Sequence, residues 1–405
     1  MSVAPPPGAE DEPATPPLAR AEGTLDPISL GNVTIVHDYL NQRGGAEKVV
    51  LEFAAMWPDA PIYTSFYRPQ STFAEFQGRD IRTTALDRLP VDKGFRNLFP
   101  LYPAAFRTLG KLPGDVVIAS SSGWAHMARA APGALHVVYC HTPARWLHRS
   151  EYLSTGDHRA WRETAILPVK RVFRALDRHA ARRADIYIAN SGGVQQRIRA
   201  VYGIDAPVVY PPVDTERLVP RPRGERLLVI ARLLPYKRVD LVVRAAKRLG
   251  LGLDVVGDGP MLAELRRIAG TGVKFHGVVS EAAIVQMLES CRAVCIAGEE
   301  EFGIVAVEAQ AAGKPVIAYG RGGSLETVEE HVTGVLFQEQ TEEALATAIL
   351  AGERLDASPE ELATRAQRFG RAAFRQNLLA AIEAQRLVSP PTNALRGRSR
   401  VRARR

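Results

Sequence analysis

Two carboxylates eight positions apart, Glu300 and Glu308, bracket a turn and the start of an apolar helix in Glu300-Glu301-Phe302-Gly303-Ile304-Val305-Ala306-Val307-Glu308. Gly303 lets the backbone come close to a ligand, and a helix opening near Ile304 aims its unpaired N–H groups at whatever sits above it. One acid at the helix mouth and one inside it can hold two parts of a polyhydroxylated anion, and a sugar nucleotide fits that description. Arg232 and Lys237, brought together by a turn at Pro235, offer a guanidinium fork and an ammonium that can neutralise a diphosphate and stabilise it as a leaving group. His141 follows the strand-like Tyr139-Cys140 and precedes Thr142-Pro143, a place from which it would project into a crevice. Gly44-Gly45, between Val36-His37-Asp38-Tyr39 and a helix, suits an anion at a helix N-terminus. Each feature also has a plainer reading: an acidic turn, a basic helix cap, a structural histidine and a glycine hinge.

Strand-like runs that would position these groups recur at Val33–Val36, Pro61–Thr64, Asp115–Ile118, His136–Tyr139, Asp185–Ile188 and Val208–Val209, with a helix over Ala46–Met56. The stretch Tyr210–Gly224 is rich in proline and breaks the alternation, as an interdomain connection would. A second series follows at Leu227–Ala231, Leu253–Val256, Val273–Phe275, Val294–Ala297, Val316–Tyr319 and Val335–Phe337. The spacing predicts an α/β protein of two tandem, doubly wound, Rossmann-like domains whose parallel sheets are covered on both faces. The expected layout is a disordered leader over 1–30, a first domain over 31–213, a second over 214–370, a helix over 371–388 and a basic disordered tail over 389–405.

At 405 residues the chain can bury two cores. The net charge of +8 includes six arginines in the last ten residues, which leaves the body near +2 and gives no case for a specific nucleic-acid partner. Cys140, Cys291 and Cys295 sit in apolar runs without metal-ligand spacing and read as core residues of a reducing compartment. With no signal-like start and no apolar run near ~20 residues, a cytoplasmic location is expected, resting on the inner membrane face as one option. Gly257-Asp258-Gly259-Pro260 is a weak dinucleotide fingerprint, because Leu262 stands at the third glycine position. No Asp-x-Asp occurs, so no metal and no cofactor are expected.

The E-x7-E segment with its Phe-Gly, Glu-Ala and Gly-Lys-Pro-Val-Ile-Ala resembles the signature of retaining GT-B glycosyltransferases of family four, over about Val33–Leu387. His37-Asp38-Tyr39-Leu40 with Gly44-Gly45-Ala46-Glu47-Lys48, and Tyr139-Cys140-His141-Thr142-Pro143, are similar to bacterial mannosyltransferases of cell-surface glycan assembly. The resemblance implies that Glu300 binds donor-sugar hydroxyls and Glu308 the ribose. It implies that Arg232 and Lys237 clamp the diphosphate, that Phe302, Gly303, Ile304 and Val305 meet sugar or phosphate, and that Gly277 and Val278 border the base. Gly44 and Gly45 would close over the donor, and His141 would lie near its sugar. Asp38 and Glu47 are acceptor contacts to be tested, and the final helix would cross back to the first domain. The implied reaction is hexosyl transfer, from GDP-mannose first, to a glycan or lipid-linked acceptor. A UDP- or ADP-sugar donor, a nucleotide-sugar epimerase and a non-catalytic binder remain as alternatives. Phe95–Lys111, Arg159–Arg183 and the tail are either contacts for an anionic membrane surface or solvated basic faces.

Overall fold

The computed structural model describes residues 30–89, 98, 100–148 and 160–388. The expected leader up to residue 29, the tail, and parts of the Phe95–Lys111 and Arg159–Arg183 stretches lie outside them. Branched apolar runs make the strands. Val33–His37 reads Val-Thr-Ile-Val-His with every residue buried, as a central strand between two helical layers requires.

The first sheet contains β1 (Val33–His37), β2 (Ile62–Thr64), β3 (Ile81–Thr83), β4 (Val116–Ser121), β5 (Leu135–Cys140) and β6 (Ile186–Ala189). They lie in the order β3-β2-β1-β4-β5-β6, all parallel. The second contains β7 (Leu227–Ile230), β8 (Leu253–Val256), β9 (Val273–Gly277), β10 (Ala293–Ile296), β11 (Val316–Tyr319) and β12 (Gly334–Phe337). Its order, β9-β8-β7-β10-β11-β12, repeats the first. In both sheets the winding reverses beside the first strand, which opens a crevice at the strands' carboxyl ends. A separate parallel pairing joins Lys111–Leu112 to Arg129–Ala130.

Two expectations change. Val208–Val209 forms no strand, only a single bridge from Val208 to Ala189. The sequence reading had no strand at Ile81–Thr83, because three half-exposed edge residues make no apolar run.

Four helices matter to the crevice: α1 (Gly45–Met56), α2 (Gly192–Tyr202), α3 (Ile304–Ala311) and α4 (Arg371–Val388). Helix α4 leaves the second half and packs on the first. Phe374, Leu378 and Ile382 join the core of the first sheet, with the Phe374 ring 5.9 Å from Phe53 and 5.8 Å from Tyr139. Buried Glu52 of α1 receives Arg371 at 2.6 Å and also Arg375. The connection between α2 and β7 carries neither helix nor strand and is held by backbone capture. The buried Lys314 ammonium donates to the carbonyls of Arg221 (2.7 Å) and Pro222 (2.5 Å). Among the described residues no helix is long and apolar enough to cross a membrane.

Candidate active site

A cavity of about 960 Å³ lies between the two halves and takes its walls from both. Asp38, Gly44, Gly45, Glu47 and His141 line it from the first half; Arg232, Lys237, Glu300, Phe302, Gly303, Ile304 and Val305 line it from the second. Three residues singled out in the sequence do not. Gly277 ends the edge strand β9 and Val278 follows it, largely exposed, while Glu308 lies behind the wall.

The second-half wall begins with a turn that only glycine fits. Gly303 sits at φ 91°, a left-handed backbone that a side chain disfavours, and as the N-cap of α3 it directs the first N–H groups toward the cavity. Gly322 and Gly323 support this loop from below. The Gly323 N–H donates to the Glu300 carbonyl (2.8 Å), and a Cβ on Gly323 would lie 2.3 Å from the Phe302 backbone. The Lys237 ammonium reaches Glu300 Oε1 at 2.5 Å, so two of the residues singled out in the sequence are in direct contact. Arg232, at the other end of the same turn, extends to the Tyr236 hydroxyl at 3.5 Å. Glu308 is buried, and its Oε1 is shared by Lys48 of α1 (2.7 Å) and Arg217 (2.8 Å).

On the first half, paired glycines let α1 approach. A Cβ on Gly44 would lie 2.6 Å from Glu47 Oε2, and one on Gly45 would lie 2.7 Å from Ile304 Cδ1 across the crevice. The Asp38 carboxylate accepts the N–H groups of Ser122 (2.5 Å), Trp124 (2.8 Å) and Ala125 (2.6 Å), which ties the loop after β4 to the end of β1. Glu47 is buried, bonded by Gln42 Nε2 (2.9 Å) and 3.7 Å from His37 Nε2. His141 bonds Ser120 through Nε2 (2.8 Å), and its ring meets Tyr139 edge-on at 5.3 Å. Burial, with His37 nearby, pushes its pKa down to about 3, so its imidazole is neutral at physiological pH.

Sequence reasoning passed over Glu301, which binds Arg145 (2.5 Å) and Arg197 of the first half. It also passed over Glu326, whose carboxylate accepts the N–H groups of Gly192 (2.8 Å) and Gly193 (3.2 Å) at the mouth of α2. The available signal for the first is adjacency to Glu300; the second is one of three acids in Glu326–Glu330 and nothing local sets it apart. The cysteines are free and buried, and burial pushes the Cys291 thiol up to about 12, so none is poised as a nucleophile.

Residues 43–217 match the model described as Glycosyltransferase Family 4, and residues 214–369 match the model described as Glycosyl transferases group 1. A GDP-mannose-dependent alpha-(1-6)-phosphatidylinositol monomannoside mannosyltransferase of Mycobacterium tuberculosis is 31% identical over 218 residues, which is 46% of this chain and 56% of that protein. The match therefore spans little more than half the length of that relative. The human alpha-1,3/1,6-mannosyltransferase ALG2 is 26% identical over 79% of this chain and 87% of its own. Anabaena Alr3699/HepE in complex with UDP superposes with a TM-score of 0.66 at 20% identity, over 87% of this chain and all of that one. The two halves form a GT-B fold.

Proposed function

This chain belongs to the family 4 glycosyltransferases, and from that premise we propose that it moves a hexose from a nucleoside diphosphate sugar to a hydroxyl of a growing glycan, with retention. The donor we propose is GDP-mannose and the acceptor is lipid-linked. One observation carries this reading. Arg232, Lys237, Glu300 and the opening of α3 share a wall of one cavity, and the other half supplies Gly44, Gly45 and His141 to the same space.

In this reading Arg232 and Lys237 take up the diphosphate charge, the work that a divalent ion does elsewhere. Glu300 holds sugar hydroxyls, and Glu308 meets the ribose in place of the Lys48 ammonium. The Gly277–Val278 loop borders the base. The bond between sugar C1 and the diphosphate oxygen breaks as the acceptor oxygen bonds C1 from the same face. The acceptor's proton passes to the departing diphosphate, so His141 need not act as a base, and the weak basicity that burial gives its imidazole agrees with that.

Mannose is supported by the names of the mycobacterial relatives and of human ALG2. A UDP-sugar donor is the second reading, supported by the complex of Alr3699/HepE with UDP-glucose. A thermal-shift panel of GDP, UDP, ADP and their sugars in EDTA separates the two. We expect a selective rise with GDP and GDP-mannose. A rise confined to UDP compounds overturns the donor, and a rise only when metal is added back overturns the charge assignment.

We further propose that the acceptor is met at an anionic lipid surface on the cytoplasmic side. Lys111 and Arg129 are strand partners, and burial together with Arg129 and Arg107 holds Arg183 below the ordinary arginine value. Among the described residues none of these four cations has a carboxylate partner. Exposed Leu101, Val172 and Leu176 provide apolar surface on the same half.

A further inference from the structure

A line of buried polar groups runs along the first-half wall of the cavity, with both its ends in the lining. It starts at Glu47, passes through His37 and Ser120 and ends at His141. Glu47 Oε1 stands 3.7 Å from His37 Nε2. His37 Nδ1 lies 3.1 Å from both the Ser120 carbonyl oxygen and the Ser120 hydroxyl. The same hydroxyl lies 2.8 Å from His141 Nε2. His37, Glu47 and Ser120 are each within 1% of complete burial, so water does not complete their hydrogen bonding.

The direction of this chain follows from what each atom can do. A carbonyl oxygen only accepts, so His37 Nδ1 carries a proton and donates. The Ser120 hydroxyl, sharing that N–H, receives on its His37 side. Its own proton then has one recorded acceptor among the described residues, His141 Nε2. A hydroxyl proton turned elsewhere in a fully buried strand would forfeit a hydrogen bond. With Nε2 accepting, the ring proton of His141 sits on Nδ1. Among the described residues no bond to that nitrogen is recorded, and His141 lines the cavity. At the far end the Glu47 carboxylate, 3.7 Å from His37 Nε2 and too distant for a hydrogen bond, acts on that ring through its charge and leaves the Nδ1 proton committed to Ser120.

We infer that His37 and Ser120 are positioning residues that fix His141 as an Nδ1–H hydrogen-bond donor to the ligand in the cavity, with Glu47 anchoring the line. This assignment deepens the proposed transferase site and rests on that reading for its consequence, but not for its geometry. An Nδ1–H aimed at the donor contributes through orientation, because the ring arrives with its tautomer and angle already set. Either tautomer alone would satisfy the cavity with water; only one satisfies Ser120 as well. Glu47 also lines the cavity, so its place beside His37 leaves the acceptor contact expected of it from sequence open to it as well.

Nitrogen-15 NMR of the full chain with labelled histidine rings reads the tautomer directly, whether or not the chain proves active. We expect His141 with its proton on Nδ1 in the unaltered protein, and a mixture of tautomers in Ser120→Ala. His37→Asn, whose side-chain amide occupies the Nδ1 position and keeps a donor to the Ser120 carbonyl, should preserve the tautomer. His37→Phe should not. In turnover, Ser120→Ala should lower kcat about tenfold, the equivalent of one neutral hydrogen bond, while the nucleoside diphosphate that raises the melting temperature binds as before. A His141 proton on Nε2, or a tautomer indifferent to Ser120→Ala, overturns the assignment. Loss of nucleotide binding in every protein including the unaltered one would instead count against the transferase reading and leave the tautomer result standing.

Discussion

At the residue scale, contacts between side chains are harder to read from sequence than the candidates for chemistry. Glu300, Arg232 and Lys237 were legible because charged side chains beside glycine and proline turns are few and their spacing is local. The partner of Glu308 was not legible: Lys48 is 260 positions away, and only the closed crevice brings them together. Glu300→Ala should lower kcat by about a hundredfold or more, the usual range for losing a group that meets the transition state, while nucleoside diphosphate affinity stays within about twofold. Retention of full activity in a radiolabelled-donor assay would sink the assignment. Histidine burial gives a second prediction. Burial holds His136 down to about 4 and His141 to about 3, whereas the unfolded chain titrates near ~6.5. The unfolded state therefore binds more protons as pH falls below about 6.5, and stability drops with it, by about 2 kcal/mol per histidine at pH 5. His37 acts in the opposite sense, since Glu47 and Asp38 outweigh burial and raise its pKa; its contribution is present at low pH and lost as pH rises through that value. Calorimetry should show a lower Tm at pH 5 than at pH 7.5, with a smaller gap in His136→Leu, and a flat profile would contradict this account.

At the element scale, most strands were readable as runs of branched apolar residues, since a strand buried on both faces needs no alternation. What escaped was the edge. β3 is short and half exposed, and nothing in Ile81-Arg82-Thr83 marks it as paired. Glycines were readable as turns but not as contacts. Gly45 reads as part of a glycine turn suited to an anion, yet Ile304 of the other half also occupies the space beside it. Gly45→Val should therefore push α1 away from α3. The expected cost is about 1–3 kcal/mol of overpacking and a clear loss of turnover, because the walls of the cavity separate. An unchanged crystal structure and unchanged kcat would show that the two helices have room to spare.

At the scale of the whole molecule, acids of the second half meet the first at several points: Glu301 on Arg145 and Arg197, Glu326 on the mouth of α2, Glu308 on Lys48. None of this was visible in composition, where the near-neutral body looked unremarkable, because attraction between halves depends on which charges face each other and not on their sum. The neighbouring cations Arg107, Lys111, Arg129 and Arg183, without a carboxylate partner among the described residues, matter at the same scale. Substituting Arg107, Lys111 and Arg129 together with Glu should abolish co-sedimentation with vesicles rich in anionic phospholipid, and the unaltered protein should release them as salt rises. Equal sedimentation of both proteins would remove the lipid surface from the proposal.

Helix α4 closes the core of the first half from the far end of the second, through Phe374, Leu378 and Ile382. A ribosome therefore delivers the first half long before it delivers the piece that seals it. The apolar face around Phe53 and Tyr139 waits uncovered while the second half is synthesised, a period in which chaperones have something to hold. A chain cut short within the second half would lack α4 and so leave the core of the first half open as well.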